Sequence, residues 1–462
     1  MATSSVASTS AGTLDVPSLV SQLMTVERQP IDTLNTKVAS YQTKISDFGA
    51  VSSLVSSFQT AVQSLNTSLQ ANSVTSSDSS VASATASSSA AAGTYSLNVT
   101  TLAQAQSLAA AGQASATSAM STGASTVTFT VGTTSTDVAI AAGATLLDIR
   151  TAINAANIGV TATVVNDGSG TPYRLSLTSN NQGTSNAISS ITVKAGGDAA
   201  INNLLAYNPT ANSPSPAPTV PMAQTVAAAN AVFTVNGIQM TKSSNTVSDA
   251  IQGVTLTLTN NSTATLTVAH DTAAVGTAAS GFVSAYNALY SQLKSFASYG
   301  TSTTTASALA GDGTVRLMMD QLRGIMGTPA TPASGGTLTT LSQIGIGFQT
   351  DGSLKLDSTK LNNSLANNFS DVTNLFSSAT GFGTRLDAWS TSTTQVGGLI
   401  DIHTSGLNTS IKRYNDQISQ LEVRMTALQK QYTTTYTDLN TMLNSMNSTS
   451  NYLTQAFAST TK

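Results

Sequence analysis

Ile411, Ile418, Met425, Tyr432, Leu439, Met446 and Leu453 fall seven residues apart, with Tyr414, Leu421, Leu428 and Met442 at the second seam position between them. Seven residues are nearly two helical turns, so these side chains collect on one side and predict a single helix over 411–453, about 64 Å long. Thr435 and Thr449 dilute the second seam toward its end. Because helices average about 12 residues, a stripe of this length outruns an ordinary core and must be buried against another long helix. The other end of the chain supplies a candidate. Leu34, Val38, Tyr41, Ile45, Phe48, Val51, Val55, Phe58, Val62, Leu65 and Leu69 are spaced by threes and fours. Ahead of them Asp15 can cap a short helix with Val16, Leu19, Val20, Leu23 and Val26 on one face, and Pro30 predicts a hinge near Gln29. Residues 1–13 are small and polar without a period, which predicts disorder.

Between the two stripes the period changes. Residues 71–92 are low in complexity, and after them Tyr95, Leu97 and Val99, then Val127, Phe129 and Val131, alternate with polar residues as strands do. Leu146–Ala156 reads as a helix, Val160, Ala162 and Val164 as a strand, and "NDGSG" as the turn into a partner strand through Tyr173, Leu175 and Leu177. "NTVSDAIQGVTLTLTNNS" at 245–262 reads as a polar helical turn followed by a strand, and "YNPTANSPSPAPTVPMA" as an extended connector. Helical spacing returns through Phe282, Tyr286, Leu289, Leu293 and Phe296, again over Val315–Met326, and once more over Leu361–Phe376 after an Asp351-Gly352 turn and an Asp357 cap. The expected fold class is α+β and multidomain: long coiled-coil-like helices from both ends lie side by side, with nested β-rich domains inserted between them. The expected domains are 1–40 with 430–462 as terminal helices, partly disordered in the monomer; 41–72 with 278–429, helical; 73–107 with 226–277, β-rich; and 108–225, an inserted outer β-rich domain.

The same residues exclude most chemistry. Only 8% are charged and the net charge is −3, which leaves no basic surface for nucleic acid. There is no cysteine, hence no disulfide, thiolate nucleophile or cysteine zinc site. No run of 18 apolar residues predicts a membrane span, and the first residues lack the basic and apolar regions of a cleavable signal. Histidine occurs only at His270 and His403; neither brings a third ligand at a metal-site spacing, and both read as solvated loop residues. The glycines of "AGDGTV" and "IGIGFQTDG" lack the lysine of a phosphate loop and read as turns. Asn260 and Asn261 form glycosylation-like sequons that a hairpin turn also explains, and Trp389 reads as a helix-packing residue. No enzyme, cofactor or metal site is expected.

"GTLDVPSLVSQLMTVERQPIDTL" (12–34), "GTYSLNVTTLAQAQSL" (93–108), "NTVSDAIQGVTLTLTNN" (245–261), "FVSAYNAL" (282–289) and "DGSLKLDSTKL" (351–361) together resemble the bacterial flagellar filament cap family, in order over nearly the whole chain. The segment 146–179 resembles a module shared among flagellin-related proteins. The resemblance implies export without a cleavable signal through the flagellar type III route, aided by an export chaperone. It implies a homo-oligomeric ring of about five or six subunits at the distal, extracellular tip of the filament, promoting incorporation of flagellin. In this picture the terminal helices are legs and the β domains a plate. The seam positions expected at the oligomer or filament interface are Leu19, Leu23, Leu34, Val38, Tyr41 and Ile45 at one end, and Leu428, Tyr432, Leu439, Met442, Met446 and Leu453 at the other. Alternatives are a surface adhesin binding host mucus glycans, or another flagellin-like axial protein.

Overall fold

The computed structural model describes residues 14–209, 221–300, 306–332 and 336–460; the segment 1–13 and the middle of the proline-rich connector lie outside the described residues. α1 (Val16–Glu27) begins where the Asp15 carboxylate accepts the Ser18 amide, with Pro17 in its first turn. α2 (Gln29–Ser68) follows at once, so the hinge is the single residue Arg28 and not a loop. The buried ridge of α1 is narrower than the sequence suggested. Val16, Val20 and Met24 are buried, whereas Leu19 and Leu23 are half-buried and Val26 is 61% exposed. A helix lying along one partner seats a single i, i+4 ridge in the partner's groove and leaves the flanks in water.

The chain then enters a β-rich unit, Leu69–Asp271. In chain order it comprises β1 (Asn72–Ser76), β2 (Ala82–Ala86), β3 (Gly93–Thr101), β4 (Ser107–Ala110), β5 (Ser125–Val131), β6 (Thr134–Ile140), α3 (Leu146–Ala155), β7 (Val160–Asn166), β8 (Tyr173–Ser179), β9 (Ile188–Val193), α4 (Ala199–Leu205), β10 (Met222–Val226), β11 (Ala231–Val235), β12 (Ile238–Lys242), β13 (Thr246–Ile251), β14 (Val254–Leu258) and β15 (Thr263–His270). Sheets ordered β1-β15-β3-β11-β12 and β13-β14-β2 enclose one core around Leu97, Phe233, Leu256 and Leu266. Sheets ordered β10-β4-β8-β7 and β6-β5-β9, with α3 and α4, enclose a second around Phe129, Ile149, Leu175 and Leu204. The expected helical turn at 245–251 is instead β13, whose Val247 and Ile251 point into the first core before Gly253 turns the chain at φ +74°. Local polarity suggested a helix there; pairing with β14 decides for the strand.

The remaining elements belong with α1 and α2 in the other unit. They are α5 (Thr272–Ala297), α6 (Gly313–Gly327), β16 (Ile346–Phe348), β17 (Leu354–Leu356), α7 (Ser358–Asn367), α8 (Phe369–Ser377), α9 (Phe382–Thr394) and α10 (Leu399–Thr460). The single helix expected over 361–376 is two, broken at Asn368, which takes a non-helical conformation. At the centre Phe58 of α2 meets Phe282 at 5.7 Å, Tyr286 at 6.2 Å and Trp389 at 6.4 Å between ring centroids, each such pair contributing about 0.5–1.5 kcal/mol beyond its buried area. Trp389 is 6% exposed and its indole N–H donates to Gln321 Oε1, so it is the packing residue its context suggested. The Asp351-Gly352 turn joins β16 to β17; Gly352 has φ +90°, and a Cβ there would lie 2.3 Å from the Tyr290 hydroxyl. Both the left-handed backbone and the ring against it require glycine. α10 is 62 residues long, about 93 Å, extending the predicted heptad helix at both ends.

Candidate functional site

α10 runs antiparallel to α2 and then α1, and its surroundings change along its length. Near its start the His403 ring stands 4.7 Å from Phe48 of α2. Further on, Tyr414 faces Tyr41 at 5.7 Å. Beyond that, α1 takes over: its Val16, Val20 and Met24, with Ile31 of α2, share one apolar cluster with Met425, and Ile418, Leu421, Leu428, Tyr432 and Tyr436 pack against it. Two hydrogen bonds clasp the ends of this contact. The Tyr432 hydroxyl donates to Glu27 Oε1 (3.3 Å), and the Leu14 amide donates to Asn440 Oδ1 (3.1 Å). From Leu439 onward the heptad stripe continues without the cover of α1: Leu439 is 40% exposed, Met442 61%, Met446 59% and Leu453 47%.

The expected seam residues thus fall into two sets. Leu34, Val38, Tyr41, Ile45, Leu428 and Tyr432 are half-buried by helix pairing within the chain, as are Leu19 and Leu23 on the flank of α1, while Leu439, Met442, Met446 and Leu453 face outward. Sequence reasoning did not single out Val16, Val20 and Met24 as the ridge in contact with α10, nor Asn440 as a clasp. An Asn at the edge of an apolar heptad was the available signal for the second.

Electrostatics differ along the same helix. Around the Tyr41–Tyr414 pair stand Lys37, 5.7 Å from the Tyr414 ring, Lys44, 5.9 Å from the Tyr41 ring, and Arg413, 5.4 Å from the Tyr414 ring. The hydrogen bond from Tyr41, assisted by Arg413 and Lys37, holds the Tyr414 hydroxyl below its ordinary range, while the Glu27 carboxylate pushes the Tyr432 hydroxyl up. Residues 439–461, by contrast, contain no charged side chain. Beside the α1 contact runs a groove of about 550 Å³, with Val20, Met24 and Arg28 on one wall and Gln429, Thr433 and Thr437 on the other. Such a surface can bind another helix through apolar contact and hydrogen bonds.

The histidines lie elsewhere and apart. His403 is not a solvated loop residue: it sits within α10, its Nδ1 3.0 Å from Thr314 Oγ1 at the start of α6. Its Nε2 is 3.2 Å from Asp312 Oδ2 without hydrogen-bond alignment. The Asp312 carboxylate also caps α6 through the Thr314 amide, which gives the cluster a packing role. His270 closes β15 with Nδ1 3.1 Å from Asn72 Oδ1 on β1. Among the described residues no three metal-ligating side chains stand together, and no helix is long and apolar enough to cross a membrane.

Residues 228–448 match the family model described as flagellar hook-associated protein 2 C-terminus, residues 12–106 its N-terminus counterpart, and residues 126–181 the flagellin hook IN motif. The chain is 34% identical to flagellar hook-associated protein 2 of Escherichia coli O157:H7 over 461 residues, 96% of each chain. It is 34% identical to that of Salmonella typhimurium strain LT2 over 321 residues, 67% of this chain and 66% of the other. In three dimensions it resembles the crystal structure of the D1–D2–D3 domains of the flagellar cap protein from Escherichia coli, with TM-score 0.66 and 35% identity over 78% of this chain and 99% of that one.

Proposed function

This chain belongs to the flagellar hook-associated protein 2 family and is a cap of the flagellar filament; we propose that its helical seams join it to neighbouring copies and to flagellin at the filament tip, outside the cell. The carrying observation is the change along α10, whose stripe is covered by α1 around Met425 and stands open at Leu439, Met442, Met446 and Leu453. An apolar ridge of that regularity left in water gains its stabilisation when a second helix covers it. The half-buried positions Leu19, Leu23, Leu34, Val38, Tyr41, Ile45, Leu428 and Tyr432 hold the helical pair together, so that the distal third is presented at a defined angle. A ring of about five or six copies would array several such ridges for incoming flagellin. Delivery by an export chaperone belongs to the same reading.

The test replaces Leu439 and Met446 together with Asp. Burying an unpaired carboxylate against apolar partners costs a few kcal/mol, and the change lies in the helical unit, not in the β-rich one. Cells carrying the double variant are expected to secrete it, to release unpolymerised flagellin into the medium and to swim poorly. Normal filament length and swimming would remove the seam from the mechanism, and intact filaments with lost attachment to mucus would favour an adhesin.

A further inference from the structure

The chain has no cysteine, so its most readily oxidised side chains are its 11 methionine thioethers. Met24, Met222, Met318, Met326 and Met425 are buried at 8%, 0%, 0%, 4% and 5% exposure. Met120, Met240 and Met319 are half-buried. Among the described residues the well-exposed methionines are Met442 at 61% and Met446 at 59%. They stand four residues apart on α10, which sets both sulfurs on one face a single turn from each other. That face is the open stretch of the docking stripe. Met425 lies on the same stripe, 17 positions before Met442, but under α1. Exposure to solvent oxidants and membership of the open seam therefore coincide in these two residues.

We propose that Met442 and Met446 are an oxidation site for hydrogen peroxide, and that their conversion to sulfoxides closes the distal seam of α10 to partner helices. This rests on the reading of that seam given above. The thioether sulfur attacks one peroxide oxygen, an S–O bond forms as the O–O bond breaks, and the departing hydroxide takes the proton from the new S–OH group and leaves as water. Sulfur loses two electrons and the peroxide gains them. The product is polar where the seam requires an apolar surface, and a sulfoxide oxygen buried against another helix without a donor is unfavourable. The free protein is the sensitive form, and a docked seam shields its own sulfurs.

The test begins with peroxide treatment of the purified full chain and peptide mass spectrometry over time. Met442 and Met446 are expected to oxidise on the order of tenfold faster than Met425 and Met318; similar rates at all four would overturn the site. Binding to sheared flagellar filaments is then measured before and after treatment for the wild type, for Met442→Leu/Met446→Leu, and for Leu439→Asp/Met446→Asp. Each protein is compared with its own untreated sample. Treatment is expected to weaken wild-type binding on the order of tenfold and to leave the Leu/Leu variant at its own starting value. An equal loss in the Leu/Leu variant would place the sensitive group elsewhere and overturn the proposal. Undiminished binding by oxidised wild type, alongside weak binding by the Asp variant, would remove the oxidation switch and keep the seam. Wild-type binding by the Asp variant would remove both.

Discussion

Asp198 shows how much one side chain can organise without chemistry. Its carboxylate accepts the amides of Thr122 (2.7 Å), Gly123 (2.9 Å) and Ala200 (2.7 Å) and the Thr122 hydroxyl (2.8 Å), tying the approach to β5 to the start of α4. The Gly123 amide, with the Thr122 hydroxyl and the other amides, holds its carboxyl well below the usual carboxylate range; Asp167 is held down likewise by Arg174. A depressed carboxyl stabilises the fold above its unfolded value, about 3.9, and the contribution is lost as pH falls through the lower folded one. The urea midpoint of the β-rich unit is therefore expected to fall as pH drops below about 4. Asp198→Asn should flatten that fall while lowering stability at pH 7. A midpoint independent of pH, or a variant as pH-sensitive as the wild type, would contradict this assignment.

At the scale of elements, α1 depends on α10 more than on its own propensity, since 12 residues are marginal as an isolated helix. Its cover is thin: Val16, Val20 and Met24 are the buried residues of α1, and Met425 is the buried residue of α10 in the same cluster. Met425→Ala removes that side chain and is expected to cost about 2 kcal/mol, the low end for a core truncation, because the neighbouring positions of α10 are near solvent. Hydrogen exchange of α1 amides should then quicken roughly thirtyfold while β15 and α5 are unchanged. Equal protection in the variant would mean that α1 is held by something other than this stripe. The sequence placed both helices and their break but misjudged the ridge. Leu19 and Leu23 satisfy the helical period as well as Val20 and Met24 do, and only the position of α10 discriminates between them.

For the whole molecule, the two β cores pose the question of separability. Gln104 and Ala229 exchange backbone hydrogen bonds of 2.9 and 3.2 Å, so the chain leaves for the second core and returns at adjacent points. The loop around Gly183 bridges the cores through Gly183 N–H to Gln104 O, Thr184 N–H to Asn230 Oδ1 and Asn245 N–H to Gln182 Oε1. Replacing residues 106–227 with a short Gly-Ser turn is expected to leave one cooperative melt for the sheets of the first core, weakened by about 1 kcal/mol for each bridging bond lost. Loss of cooperativity would show that the second core is structurally required.

What the residues determined alone was whatever depends on near neighbours in the chain. The heptads of α10, the Asp15 and Asp357 caps and the Asp351-Gly352 turn are all local patterns, legible because helix and turn energetics act over a few residues. Tertiary structure decided what depends on a partner. Polar 245–251 became a strand because β14 pairs with it, His403 became half-buried because Phe48 and Asp312 stand beside it, and one uniform heptad became a covered stretch and an open one. A seven-residue repeat states that a face must be buried. Which turns of that face are already covered depends on where α1 begins, beside the clasp between Leu14 and Asn440.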